Sequence, residues 1–213
     1  MAECCDPVPY RRLFNSKEAT RRLDRYRRRG LDARAAAIVG FLADKVGGME
    51  VLDVGGGVGE IPVELLEVGA SRAHIVELSD AYDSAAAALA EERGVADRVE
   101  RTIGDFVAIR DEVAPTDVVV LNRVVCCYPH MERMMTAAVE RSGSYLGVVV
   151  PRDRWWNRAA IRVGNAYTSL RKCSFEAFVH ATDEIDAVAT AGGMAVAHRS
   201  HGPIWQSTVY ERA

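Results

Sequence analysis

Four carboxylates and one polar segment hold the chemistry that this chain can offer. Asp53 and Glu60 bracket a glycine run, Asp53-Val54-Gly55-Gly56-Gly57-Val58-Gly59-Glu60, and Glu77 and Asp105 each follow a later apolar stretch. A carboxylate attracts a cationic amine and accepts hydrogen bonds from ribose hydroxyls or from an adenine amino group. The segment Asn122-Arg123-Val124-Val125-Cys126-Cys127-Tyr128-Pro129-His130 adds a second set of groups. Arg123 is suited to holding a carboxylate bidentately, and Tyr128 and His130 are the nearest candidates to take a proton from an acceptor. Two plainer roles stand beside these: Tyr128 as a pocket wall and His130 as a helix cap or a solvated side chain.

The elements that must position these groups follow from hydrophobic period. The apolar run Val51–Val54 stops at glycines and restarts as an amphipathic pattern through Ile61, Val63, Leu65 and Leu66, which reads as strand, tight loop, helix. Further strands are expected at 73–77, 98–103, 116–121 and 145–150, and a closing pair at 195–201 and 205–211 around the hairpin signal Gly202-Pro203. Helices are expected from the caps Asn15 or Ser16 to Gly30, from Asp32 through Val46, to about Val68 after the loop, at 80–93, 131–141 and 153–170, and from Thr182 or Asp183 to Ala191. The implied fold is α/β: an open, mostly parallel, Rossmann-like seven-stranded sheet ending in an antiparallel hairpin. Residues 1–30 form an arm and lid helix, and residues 31–213 form the ligand-binding domain. In such sheets the ligand lies outside the carboxyl ends of the strands, so Gly55–Gly59, Glu77, Asp105 and Asn122–Tyr128 should share one crevice.

The loop is not a good dinucleotide loop. Gly55 and Gly57 fit Gly-x-Gly-x-x-Gly, but Glu60 occupies the third glycine position. Acids at Asp53 and Glu60 disfavour a pyrophosphate and favour a ligand with a cationic amine. Taken in order, Val51–Gly59, Glu77-Leu78, Gly104-Asp105-Phe106 and Asp117–Asn122 resemble the motifs of the class I S-adenosylmethionine (SAM)-dependent methyltransferases. The resemblance implies that SAM is the cofactor and S-adenosylhomocysteine the product. It places Gly55 and Gly57 at the methionine moiety, Glu77 with Leu78 at the ribose and Asp105 with Phe106 at the adenine. Asp53, Gly59 and Asn122 complete the cofactor set, and an arm carrying Tyr10 and Phe14 is expected to close over it.

The acceptor is read from the segment after the fourth strand. It lacks the Asn-Pro-Pro-Tyr run of enzymes that methylate planar exocyclic amines, and neither Cys126 nor Cys127 follows a proline as in C5-pyrimidine enzymes. Cys127-Tyr128-Pro129 and the ending Trp205–Glu211 are similar to magnesium-protoporphyrin O-methyltransferases and small bacterial relatives. In those a histidine stands where Cys127 stands here, and a thiol does not take over its proton handling near neutral pH unless its pKa is shifted. The expected activity is methyl transfer to an O or N atom of a small aromatic or acidic metabolite. Cys127, Arg154 and Trp155 would join Tyr10 and Phe14 around that acceptor, although Trp155 and Arg154 also suit a helix packed on the sheet with its arginines solvated.

Two other readings are open. A SAM-fold protein can use the sulfonium as an electrostatic aid to a lyase or cyclisation reaction. The helix carrying Arg21, Arg22, Arg25, Arg27, Arg28 and Arg29 could serve an RNA methyltransferase, although charge runs are usually solvated. With 213 residues and a net charge of −3, the chain suits one soluble domain and shows no bulk attraction to nucleic acid or membrane. No leader pattern and no apolar run of about 18 residues is visible, so a cytoplasmic, bacterial-type enzyme is expected. The five cysteines, Cys4, Cys5, Cys126, Cys127 and Cys173, lack Cys-x-x-Cys spacing; reduced thiols and no metal site are expected, and the oligomeric state is not legible.

Overall fold

The computed structural model describes residues 13–170 and 175–213. Tyr10, Cys4, Cys5 and Cys173 lie outside the described residues. Strands β1 (Glu50–Val54), β2 (Arg72–Glu77), β3 (Val99–Ile103), β4 (Thr116–Asn122) and β5 (Ser142–Pro151) pair in parallel. The last strands, β6 (Met194–His201) and β7 (Trp205–Arg212), form a hairpin whose β7 lies antiparallel against β5. The order is β3-β2-β1-β4-β5-β7-β6, a mostly parallel seven-stranded sheet with an antiparallel carboxyl-terminal pair. The chain reverses its direction of travel across the sheet between β1 and β4, which opens a crevice above their carboxyl ends.

Helices α1 (Ser16–Arg29), α2 (Ala33–Leu42), α3 (Glu60–Glu67) and α4 (Asp83–Glu92) contribute to one layer, and α5 (Phe106–Ile109), α6 (Met131–Arg141) and α8 (Thr182–Ala191) to the other. Helix α7 (Trp155–Leu170) precedes α8 and buries only Asn157. Strand period two divides the central strands between the layers. Val118 and Val120 of β4 join the first layer, and Val119 and Leu121 join the second. Val51 of β1 likewise joins the first layer while Leu52 and Val54 join the second. Asp53 therefore shares the Val51 face and enters the layer that holds α1 and α3.

Several boundaries differ from expectation for local reasons. Asn15 and Asp32 cap as expected, each accepting two backbone N–H groups. Helix α2 stops at Leu42 and not at Val46, because the Leu42 carbonyl accepts from both Lys45 and Val46 and the last turn unwinds. The expected 80–93 helix divides into a 3-10 turn, Asp80–Tyr82, and α4. Helix α7 starts at Trp155, two residues late, and Ala181 occupies the cap position of α8 with no side-chain capping bond. Strand β5 starts at Ser142, directly after α6.

Leu52 is fully buried against the α6 layer. Leu52→Ala should cost about 3 kcal/mol through lost burial and the cavity left behind. A thermal melt should fall by about 6–12 °C for a domain of this size; an unchanged melt would contradict this placement of the core.

Candidate active site

The site begins with backbone shape. Gly55 and Gly57 adopt positive φ, at 66° and 62°, and any side chain there would strike Val124 or the Arg22 guanidinium respectively. Gly59, also left-handed, occupies the cap position of α3 with no side-chain cap. The loop thus presents bare main chain beside a helix amino terminus, where a ligand can approach closely.

A buried charge cluster lies against this loop. Arg22 of α1 binds Glu60 through Nε and Nη2 at 2.7 and 2.6 Å. Burial would lower the Arg22 pKa, but Glu60, with a smaller contribution from Asp53, outweighs it and holds the guanidinium charged. The Asp53 carboxyl is buried, its Oδ1 has no hydrogen-bond partner, and Glu60 Oε2 is likewise unpartnered. Burial raises the Asp53 pKa well above the usual carboxylate range, and Glu60 and Glu77 add to the rise against Arg22 and Arg101. Arg22 engages only Glu60 Oε1, so the orphaned oxygens would be satisfied by a proton on Asp53 or by a further cation.

Glu77 ends β2 and is fixed by main chain. Its Oε2 accepts from Gly57 N at 2.9 Å, and its Oε1 accepts from Leu78 N and Ser79 N at 2.8 and 3.1 Å. Arg101 donates to the Gly57 carbonyl and pairs with Asp83, supporting the loop from β3. Asp105 caps α5 by accepting from Val107 N at 3.0 Å. Tyr82 is buried beside these groups, and burial pushes its hydroxyl up to about 12, partly offset by Arg22.

Arg22, Glu77, Tyr82 and Asp105 border one cavity of about 360 Å³, while Asp53 and Glu60 stand behind its lining. Of the residues expected from sequence, Phe14, Gly55, Glu77, Leu78, Asp105, Phe106, Asn122, Arg123, Cys127 and Tyr128 line it. Asp53, Gly57 and Gly59 belong to the supporting loop and do not line it. His130 does not line it either; it is exposed at the cap position of α6 and makes no side-chain capping bond. Arg154 and Trp155 also stand away from the cavity, with Trp155 77% exposed because α7 turns that face to solvent.

Asn122 is 5% exposed, and neither atom of its amide finds a partner. Arg123 follows with φ 63°, a left-handed conformation that costs a non-glycine residue about 1–3 kcal/mol. Its carbonyl receives the thiols of Cys126 and Cys127 at 3.5 Å, and the two sulfurs lie 3.9 Å apart. The two thiols are coupled: their contact lowers the Cys126 pKa and, together with burial, raises that of Cys127.

Sequence reasoning missed several contributors. His180 Nε2 lies 3.1 Å from both the Val125 and Tyr128 carbonyls, so Nε2 carries the proton and bridges the turn after β4. Phe178 N donates to the Cys126 carbonyl at 2.7 Å, so the 175–180 segment fastens the same turn. Arg25, Tyr82, Met134 and Trp205 line the cavity, and Arg34 stacks over Trp205 at 5.2 Å. Arg22 was visible only as one of six arginines in α1, and His180 had no local signal.

Comparison with solved structures decides the fold class. Magnesium protoporphyrin IX methyltransferase from Synechocystis PCC 6803, solved with bound S-adenosylhomocysteine, is similar with a TM-score of 0.76 and 17% identity over 98% of this chain and 100% of that one. The chain has the class I methyltransferase fold. An O-methyltransferase family protein from Burkholderia thailandensis is similar with a TM-score of 0.65 and 19% identity, covering 93% of this chain and 61% of that one. The pyocyanin biosynthetic protein PhzM gives a TM-score of 0.62 and 19% identity, over 93% of this chain and 62% of that one. No protein-family model matches the chain, and no curated protein matches it. Within the class I methyltransferase fold, helix α1 roofs the crevice: Phe14, Glu18, Arg22 and Arg25 line the cavity, and the Ser79 hydroxyl donates to the Phe14 carbonyl at 2.8 Å. Among the described residues no helix is long and apolar enough to cross a membrane, and no group of three or more His, Cys, Asp or Glu side chains could hold a metal ion.

The raised Asp53 pKa fixes the sign of a stability effect. An acid whose folded pKa lies above its unfolded value loses stability as pH rises from the unfolded to the folded pKa. Asp53→Asn keeps the shape and removes the charge. It should raise the melting temperature by several degrees at about pH 7–8 and leave it unchanged near pH 4, where the unfolded carboxylate also protonates. A variant less stable than wild type at neutral pH would show that the charge is already compensated.

Proposed function

We propose that this chain is a SAM-dependent methyltransferase acting on an O or N atom of a small acceptor. The observation that carries the proposal is the combination of a bare left-handed glycine loop with the orphaned Asp53 and Glu60 oxygens beside it. A zwitterionic amino-acid tail lying on the loop would bring its ammonium close to these acids, which stand just behind the cavity lining. The rest of the cavity suits the remainder of the cofactor. Glu77 spends three acceptor sites on main chain and keeps one on Oε2 for a ribose hydroxyl. Asp105 and buried Phe106 stand at the next strand end, where an adenine amino group and ring face would fit. Asn122 offers both an amide donor and an acceptor that lack partners. The similar Synechocystis protein, solved with SAM and with S-adenosylhomocysteine, supports the same assignment.

Bound there, SAM supplies a methyl group made electrophilic by a sulfonium. The acceptor lone pair forms the new bond to carbon, the electron pair of the broken C–S bond stays on sulfur, and the acceptor proton passes to solvent or a base. The protein's task in such an in-line displacement is position and exclusion of water. Phe14 and α1 cover the cavity, while Tyr128, Cys127 and Trp205 wall the acceptor side. His180 keeps that wall in place by bridging the Val125 and Tyr128 carbonyls. His130 has no part in this mechanism, because it stands outside the cavity. Pairing of Arg22 with Glu60 and of Arg27 with Glu92 takes two of the six α1 arginines from the RNA reading. Residence in the cytoplasm accords with this reading and is proposed with it.

Calorimetric titration of S-adenosylhomocysteine should give a Kd in the micromolar range. Glu77→Ala should weaken it at least tenfold, about 1.4 kcal/mol, through the lost ribose contact and the loosened Gly57 amide. Absence of binding to folded wild-type protein would refute the proposal.

A further inference from the structure

The proposed cofactor groups leave one demand in the cavity unanswered, at Arg123. Its guanidinium borders the cavity, makes no hydrogen bond or ion pair among the described residues, and has its Nε buried without a partner. The acids around it are committed elsewhere. Glu60 gives Oε1 to Arg22 and Asp32 binds Arg34 while capping α2, and neither forms an ion pair with Arg123. Burial, together with Arg22 and Arg34, holds the Arg123 pKa below its usual value despite Asp32 and Glu60. Arg25, on α1, adds another cation to the cavity lining. The backbone is held in a left-handed conformation at this residue, with its carbonyl receiving both neighbouring thiols, so the strain is built in and the guanidinium is placed by it.

We propose that Arg123 selects an acceptor bearing a carboxylate, held by the guanidinium fork, while the methylated atom is a separate hydroxyl or amine of the same molecule. This deepens the methyl-transfer reading and rests on it. A planar carboxylate is the group that a guanidinium binds through two parallel hydrogen bonds. Oxygens engaged in that way have their lone pairs directed at N–H groups and are poor nucleophiles, so the transferred methyl goes to a second heteroatom. Phe14, Tyr128 and Trp205 around the same cavity suit a flat ring carrying both groups. Arg123 follows β4 beside the Cys126–Tyr128 wall and feels Arg22 and Glu60 as well as Asp32 and Arg34, whereas Gly57 has Arg22 against it. The cofactor's own tail carboxylate is therefore the rival occupant, and the test separates the two.

The test uses the full chain saturated with S-adenosylhomocysteine and two probes of one shape, 4-hydroxybenzoate and 4-hydroxybenzamide, titrated by calorimetry. The wild type should bind the acid with a Kd of about a millimolar or tighter and the amide at least tenfold more weakly, about one charged hydrogen-bonded pair. Arg123→Asn accepts the left-handed backbone without strain, and a melt checks that it folds. It should bind acid and amide alike and keep its affinity for S-adenosylhomocysteine within about threefold, while Arg123→Lys should retain part of the preference for the acid. Equal binding of the two probes by wild type, or no binding of the acid at about 20 mM, would overturn the proposal. So would an Arg123→Asn variant that loses S-adenosylhomocysteine and keeps the acid, since the arginine would then serve the cofactor tail. Failure of wild type to bind S-adenosylhomocysteine at all would instead remove the methyl-transfer reading on which the proposal stands.

Discussion

The structure turns on the contact among Arg22, Glu60 and Asp53 beside the glycine loop. Arg22 belongs to the roof helix α1, Glu60 opens α3 and Asp53 is the last residue but one of β1, so one buried cluster ties the lid, the loop and the central strand together. At Asp53, burial with Glu60 and Glu77 outweighs Arg22 and Arg101. The imbalance appears as the raised Asp53 pKa and as unpartnered oxygens on both acids. In a protein selected for stability alone such a cluster would be replaced by apolar side chains of similar volume. Its presence is explained if a cationic group of a ligand completes it.

The sheet order makes the cluster useful. Strands β1, β2, β3 and β4 deliver Asp53, Glu77, Asp105 and Asn122 at or just beyond their carboxyl ends, and these four residues come from widely separated parts of the chain. Parallel pairing keeps the ends level: Val54 sits opposite Val76 and Leu121. Main-chain donors then fix Glu77, and the bridge from His180 fixes the turn after β4. The acceptor side is less constrained by regular structure, since it is built from a turn held by carbonyl contacts and by the strained backbone of Arg123.

The cofactor side was legible in the sequence because its signals are local. A β-branched run that ends in glycines, an acid after the second strand and another after the third each follow from neighbours within a few residues; Glu77 and Asp105 line the cavity, whereas Asp53, Gly57 and Gly59 lie in the supporting loop. The roof helix was readable from its Asn15 cap, but the single arginine that matters was not, because the choice among six depends on which one faces Glu60, 38 residues away. His130 and Trp155 drew attention through residue type and proximity to motifs. Their exposure is decided by the direction in which α6 and α7 leave the sheet, which no short-range pattern encodes. His180 was invisible for the converse reason, since its partners lie more than 50 residues earlier and are backbone carbonyls common to every sequence.

The central claim is that the cluster beside the loop waits for a cationic amine. Its most direct test compares S-adenosylhomocysteine with methylthioadenosine, which keeps the nucleoside and thioether but lacks the amino-acid tail. The account predicts that calorimetry will show methylthioadenosine binding about a hundredfold more weakly, close to 3 kcal/mol. Equal affinity for the two would contradict it, because the loop and its acids would then contribute nothing to recognition.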